Sequence, residues 1–340
     1  MKTKATAYTL LTGLLLLFET YLHAQSGWMD NIQQKKHPEI RKSELEASVD
    51  FLCDSLNQGR ALGTAGHSGV TMSLVRHFQK EGLLPIEVCY VQSFRVGDKT
   101  GRNVIGIMRG TSKAFQLLNP TKKYVIVAAH YDHLGIIDGK LYPGADANAS
   151  GVAALMEIIH AFRVQRMRYS YLSDVIFVAF DSYCEGRAGA EALMNALREG
   201  RIKDPTTGST ISLNKIRAMI DIDQIGSNLA PVDPARRDYL IAIGERTFPE
   251  RYHGLLQKCN WFYYLNLDLN YNYYGSDRFT RMFYRLGDRG IFIEAGIPTM
   301  YFTSGITPLT NTVNDKPENL DYEMLKQRTT LIFRFIEKIL

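Results

Sequence analysis

Short apolar, β-branched runs that do not alternate with polar residues recur along this chain, separated by segments of helical spacing, and that alternation limits the fold more than any other feature. The runs cover residues 103–108, 124–129, 174–180, 218–222, 239–243 and 298–302. A strand that is apolar at consecutive positions is covered on both faces, because neighbouring side chains point to opposite sides of the sheet. Helical patterns follow at 149–162, 191–199 and 322–339. Two more precede the first run. Ser43 and Glu46 have the spacing of a capping box, and Leu45, Val49, Leu52 and Leu56 repeat at helical spacing, which predicts a helix over about 43–56. A turn-rich segment, 59–66, leads to a second amphipathic helix that carries Val70, Leu74, Val75 and Phe78 and stops near Gly82. The expected fold is α/β, a mostly parallel central sheet flanked by helices on both faces.

With 340 residues, 45% of them hydrophobic, the chain is long enough to bury a sizeable core. The formal charge of +5 is modest and no Lys/Arg block is present, so no nucleic-acid partner is expected. Lys2 and Lys4 precede an apolar run at 10–18, and Ala24 closes the segment, the pattern of a secretory signal cleaved after Ala24. The run is shorter than the ~20 apolar residues that a spanning helix needs. Residues 1–24 are therefore read as a signal peptide and 25–340 as a single secreted or periplasmic domain with no stable membrane span. No repeat or Pro/Ser linker divides it. Cys53, Cys89, Cys184 and Cys259 are widely spaced. In an oxidising compartment one disulfide among them is allowed, and the spacing does not give its pairing.

Functional residues of open α/β sheets gather at the carboxyl ends of strands. Here His130-Tyr131-Asp132-His133-Leu134-Gly135 follows one run, and Gly144-Ala145-Asp146-Ala147-Asn148 opens the next helix. Asp181 to Gly186 follows a third, and Asp223-Gln224-Ile225-Gly226 ends a fourth. Neutral imidazole and carboxylate oxygens converging at about 2.0–2.2 Å make a zinc site, and His130, Asp146 and Asp223 are the donors for one. Asp132, two residues beyond His130, is placed to accept the other imidazole N–H. Taken singly, these residues have plainer readings: a histidine after a strand is more often packed in a core or loop, and an aspartate at a helix start is usually a cap.

The runs YVIVAAHYDHLG (124–135), GADANASGVA (144–153) and FVAFD (177–181), with Ile222-Asp223-Gln224-Ile225-Gly226, Ser276-Asp277 and Gly296-Ile297-Pro298, resemble the M28 family of zinc aminopeptidases and carboxypeptidases in that order. The resemblance implies the zinc-dependent exopeptidase fold, phosphorylase/hydrolase-like, which glutaminyl cyclases share. It implies two zinc ions bridged by Asp146, with His130 and Asp223 on the first. The family's second ion takes a glutamate and a C-terminal histidine, beside a glutamate that acts as general base.

That second half is substituted. Tyr183 stands at the base position and Cys184 at the ligand position. Thr310 and Asn311 replace the C-terminal Tyr-His, and no histidine follows His253. A tyrosine with an ordinary pKa near ~10 is a poor proton acceptor at neutral pH. Thiolate binds zinc but is shorter than glutamate, and an amide oxygen is a weak ligand. At most one zinc ion is expected, on His130, Asp146 and Asp223. Ser276, Asp277 and Arg278 are candidates for contacting substrate, Arg278 standing where the family has histidine. The expectation is an M28 scaffold with two-zinc aminopeptidase catalysis lost or much reduced, binding a peptide or small amide ligand. The alternatives are a mononuclear zinc exopeptidase acting on peptide N-termini and, third, a glutaminyl cyclase-like enzyme.

Overall fold

In a computed structural model, the described residues are 39–86, 88–111, 124–166, 169, 171–228 and 236–340. The segment read as a signal peptide lies outside them. The strands are β1 (Leu84–Pro85), β2 (Val91–Val96), β3 (Lys99–Met108), β4 (Tyr124–His130), β5 (Gly135–Ile137), β6 (Lys140–Tyr142), β7 (Asp174–Phe180), β8 (Ile216–Ile222), β9 (Tyr239–Ile243), β10 (Asp268–Asn270) and β11 (Thr299–Thr303). The helices are α1 (Lys42–Cys53), α2 (Ala65–Lys80), α3 (Gly151–Gln165), α4 (Ala188–Arg198), α5 (Leu255–Phe262), α6 (Asp277–Arg285), α7 (Arg289–Glu294) and α8 (Tyr322–Ile339). Residues Glu39–Leu340 form one compact unit.

The main sheet runs β1-β3-β7-β4-β8-β11-β9-β10, with β2 paired to β3. Its centre, β7, β4, β8 and β11, is parallel. Its margins are not: β3 runs antiparallel to β7, and β9 antiparallel to β11. An apolar run records burial on two faces but not strand direction, so the sequence does not distinguish these margins from the centre. The β3 strand also starts four residues earlier than its apolar run, because it pairs with β2 across the Gly97-Asp98 turn.

Both faces of the centre are buried, as continuous apolar runs require. Val125, Val127 and Ala129 pack with Leu45, Phe78, Ile158 and Phe333 on one side. Ile126 and Ala128 pack with Leu193, Leu197 and Phe292 on the other. The capping box expected at Ser43 and Glu46 is not formed: α1 starts at Lys42, and its N-cap Arg41 makes no side-chain cap. The buried carboxylate of Glu157 instead accepts the Arg41 backbone N–H at 2.8 Å, so a tertiary contact does the work of a local one. All four cysteines are free, so the disulfide that the sequence allows is not formed. Cys53 and Cys259 are buried, and burial pushes both thiols up to about 11.

One polar cluster in the interior carries a pH prediction. Arg109 reaches Asp174 at 2.7 Å and also Asp204, and the Tyr124 hydroxyl donates to Asp204 at 2.6 Å. Burial raises the Asp204 carboxyl, but Arg109, Tyr124 and the N–H groups of Thr206 and Thr207 outweigh it and hold the group below the usual carboxylate range. A depressed folded-state pKa gives stability that is complete above the unfolded value of about 3.9 and is lost as pH falls through the folded one. Urea melts of the wild type should therefore weaken more steeply below about pH 4 than those of Asp204→Asn. Equal slopes would mean that the cluster adds no net stability.

Candidate active site

Three adjacent parallel strands deliver the central groups. His130 ends β4, Tyr183 follows β7, and Asp223 follows β8. Together with Gln224, Tyr301, Arg289 and Asn311 they line a cavity of about 200 Å³. Tyr273, Phe283, Leu286 and Ile306 make its apolar wall. Tyr273 stacks on Phe283 with ring centroids 4.1 Å apart.

His130 is buried between two carboxylates. Its Nε2 lies 3.5 Å from Asp223 Oδ1, and its Nδ1 lies 3.8 Å from Asp132 Oδ1 and 3.3 Å from the Asp132 carbonyl oxygen. Burial pulls the imidazole down, but the carboxylates of Asp132 and Asp223 on either side outweigh it and push it up to about 10. In that state both ring nitrogens carry protons. The Asp132 carboxylate also accepts the backbone N–H groups of Tyr183 and Cys184, each at 3.0 Å, and so fixes the loop after β7. The Tyr183 ring lies flat on His130, 4.0 Å away and 10° from parallel. Asp223 and burial keep its hydroxyl well above the ordinary tyrosine value.

Asp146 faces other partners. Its carboxylate accepts the Gly226 N–H at 2.8 Å, the Gln224 side-chain amide at 3.0 Å and the Ser150 hydroxyl at 3.3 Å. Burial and the neighbouring Asp315 push it up to about 7. Asp315 in turn holds the 145–147 turn, accepting the N–H groups of Asp146 at 2.8 Å and Ala147 at 3.0 Å.

The residue that the sequence reading missed is Arg289. It is 1% exposed, and its Nη1 donates to Asp221 at 2.8 Å and to Asp223 at 3.2 Å. Nη2 donates to the Phe283 carbonyl at 2.5 Å, and the guanidinium lies over the Tyr301 ring, 3.4 Å from its centroid. The residues expected to contact substrate are elsewhere: Ser276 caps α6 by accepting the Phe279 N–H, Asp277 and Arg278 are exposed, and none of the three lines the cavity. A signal was present. Asp288-Arg289 repeats the Asp-Arg pair of 277–278, nearer to Gly296-Ile297-Pro298. Among the other substituted positions, Cys184 and Asn311 are exposed at the cavity edge, and Thr310 accepts the Gln224 amide at 3.2 Å.

The fold and this site define an α/β scaffold of the exopeptidase type, with its polar groups on loops at the carboxyl ends of parallel strands. The chain belongs to peptidase family M28, whose sequence model matches residues 103–336. Comparison with curated proteins gives no significant match. Among solved structures, LapB from Legionella pneumophila superposes with a TM-score of 0.65 at 16% identity, over 89% of this chain and 73% of that one. The aminopeptidase from Aneurinibacillus sp. strain AM-1 gives 0.63 at 14%, over 88% and 94%. The glutaminyl cyclase of Fimbriiglobus ruber gives 0.64 at 19%, over 88% and 95%.

Zinc belongs to aminopeptidases of this fold, one of the similar structures being a zinc aminopeptidase from Bacillus subtilis. The residues here do not fit the ion. Among the described residues no three His, Cys, Asp or Glu side chains gather as a metal cage, so the expected set of His130, Asp146 and Asp223 is not assembled. The reason lies in their partners. Asp146 is turned toward Gly226, Ser150 and Gln224, and Asp223 is bound to a buried cation. Two unit charges ~4 Å apart at an effective dielectric of ~20 repel by about 4 kcal/mol, and a divalent ion beside Arg289 would meet about twice that.

Proposed function

We propose that this chain is an exported member of the M28 family that binds a peptide or small amide ligand and does not hydrolyse it. The observation that carries the reading is the flat stack of Tyr183 on His130. The position where a general base is needed holds a protonated phenol, and its ring covers the imidazole face. A positioned general base supplies ~10²- to 10⁴-fold in rate, so its loss alone removes most ordinary turnover.

The ligand class follows from the lining. Aromatic and aliphatic walls suit an apolar side chain, while Asn311 at the edge offers an amide partner. His133 Nε2 and Arg289 Nε are buried, belong to residues lining the cavity, and have no hydrogen-bond partner among the described residues. A buried group left unpaired costs about 1–3 kcal/mol. A ligand carbonyl or amide would relieve that cost.

Purified protein should give no measurable release of nitroaniline from a panel of aminoacyl nitroanilides, yet bind apolar aminoacyl amides in equilibrium dialysis, with affinity falling at least about tenfold in Ile306→Glu at the cavity mouth. Turnover at ordinary enzyme rates would sink the reading. Export is supported by the Lys2, Lys4 and 10–18 pattern, and no helix among the described residues is long and apolar enough to cross a membrane. Edman sequencing of the protein recovered outside the cytoplasm should start at Gln25. An intact Met1 there would rule out cleavage.

A further inference from the structure

We infer that Arg289 is a resident cation that carries the charge a metal ion would carry in this fold, so that the chain itself holds the site together and keeps it free of metal. This extends the non-hydrolytic reading above and rests on it for the identity of the site.

The argument starts from β8. Asp221 and Asp223 are two residues apart on an extended segment, so their side chains fall on the same face. Asp221 is buried and Asp223 nearly so. Two neighbouring buried carboxylates need a cation, because each raises the cost of ionising the other. The guanidinium meets both with a single Nη1, at 2.8 Å and 3.2 Å. It cannot lose its charge in a protein.

Its placement is built in. Nη2 is tied to the Phe283 carbonyl, and the plane of the group is seated on Tyr301. Gly287, two residues upstream at φ +76°, leaves the room: a Cβ there would lie 2.7 Å from Arg289 Nη1 and 3.2 Å from Tyr183 Cε2. A divalent ion on Asp223 would have to take that carboxylate from the guanidinium, which would stay on Asp221 and the Phe283 carbonyl with its charge beside the ion. It would also have to win Asp146 from the Gln224 amide.

The test compares zinc uptake by the full-length mature protein, Arg289→Ala and Arg289→Lys, each with and without His130→Ala, after dialysis against zinc. Zinc per chain is read by elemental analysis and folding by circular dichroism. The expected result is no His130-dependent zinc in the wild type or in Arg289→Lys. Zinc affinity should rise more than about tenfold in Arg289→Ala and fall back when His130→Ala is added. A wild type that retains a full equivalent, lost on His130→Ala, would overturn the inference. So would a folded Arg289→Ala with no gain. If Arg289→Ala does not fold in metal-free buffer, refolding with zinc decides between the same two outcomes: recovery that depends on zinc supports the inference, and no recovery overturns it. Turnover by zinc-free wild type would defeat the non-hydrolytic reading and leave this one intact, whereas wild-type zinc without turnover would do the reverse.

Discussion

Replacing Arg60 with methionine is expected to lower folding stability by about 3–5 kcal/mol and to abolish ligand binding in the cavity. Arg60 is 0% exposed and has no carboxylate partner among the described residues. It spends its guanidinium on backbone carbonyls: Nε on Tyr131 at 2.8 Å, Nη1 on Leu52 at 2.9 Å and Pro143 at 2.6 Å, and Nη2 on Gly144 at 2.9 Å. These four carbonyls belong to three segments: the end of α1, the loop after β4 that bears Asp132 and His133, and the turn before Asp146. Methionine matches much of the volume and none of the bonds, so four carbonyls lose the guanidinium at once. Gly144 keeps the Ala149 N–H and Pro143 the Cys53 thiol, while the Tyr131 and Leu52 carbonyls lose the donor that Arg60 gave them. Gly59 allows the approach: at φ +58°, a Cβ there would lie 2.6 Å from the Gly135 and Tyr142 carbonyl oxygens. Arg60→Lys should recover little, since an ammonium is a point donor and cannot span the fork. Urea denaturation at neutral pH is the measurement. A loss below about 1 kcal/mol would show that water replaces the clamp without penalty.

The contrast between what the chain spells out and what it conceals has one physical source. Features that depend on local period are plain: the central strands, α3, α4 and α8 all fall within a few residues of the apolar patterns that predict them. Their order then places the loops bearing His130, Tyr183 and Asp223 at one edge of the sheet, because parallel strands share a carboxyl end. Features set by long-range partners are not plain. The start of α1 depends on Glu157, 116 residues from Arg41. The site depends on three arginines, Arg60, Arg289 and Arg328, that are among the largest fully buried side chains, yet in a sequence an arginine reads as surface. Arg328 in α8 shows the same logic as Arg60, donating from Nη1 to the carbonyls of Ile225 at 2.8 Å and Ser227 at 2.9 Å and so holding the loop after Asp223. The sequence reading names Arg278 and does not consider Arg289: the sequence holds two Asp-Arg pairs, 277–278 and 288–289, and only packing tells which of them turns inward. Aromatic residues divide likewise. Trp261 is 74% exposed, while Tyr273 is buried and lines the cavity.

Restoring the family's residues at the substituted positions, by combining Tyr183→Glu, Cys184→Glu and Asn311→His, is expected to leave the protein as inactive toward aminoacyl nitroanilides as the wild type. The three changes supply a base and two ligands, and on sequence grounds alone they would return the ~10²- to 10⁴-fold that a positioned base provides. They do not remove the guanidinium from Asp223, however, and they add two carboxylates beside it. Arg289 then has more anionic partners than before and no reason to leave, while a divalent ion must still displace it. Adding Arg289→Ala to the three changes should reverse this. The freed Asp221 and Asp223, with the new glutamates, then form a strongly anionic pocket beside His130 without the guanidinium, which costs stability until a metal binds. Linkage gives the size of the effect: at a zinc concentration about 100 times the dissociation constant, the fourfold variant should gain about 2.7 kcal/mol of stability, and the threefold variant almost none. Thermal melts with and without zinc, run beside nitroanilide assays, separate the two. Hydrolysis and zinc-dependent melting that already appear in the threefold variant would mean that Arg289 yields to a metal once a base is present, and the loss would then lie in the three substitutions alone.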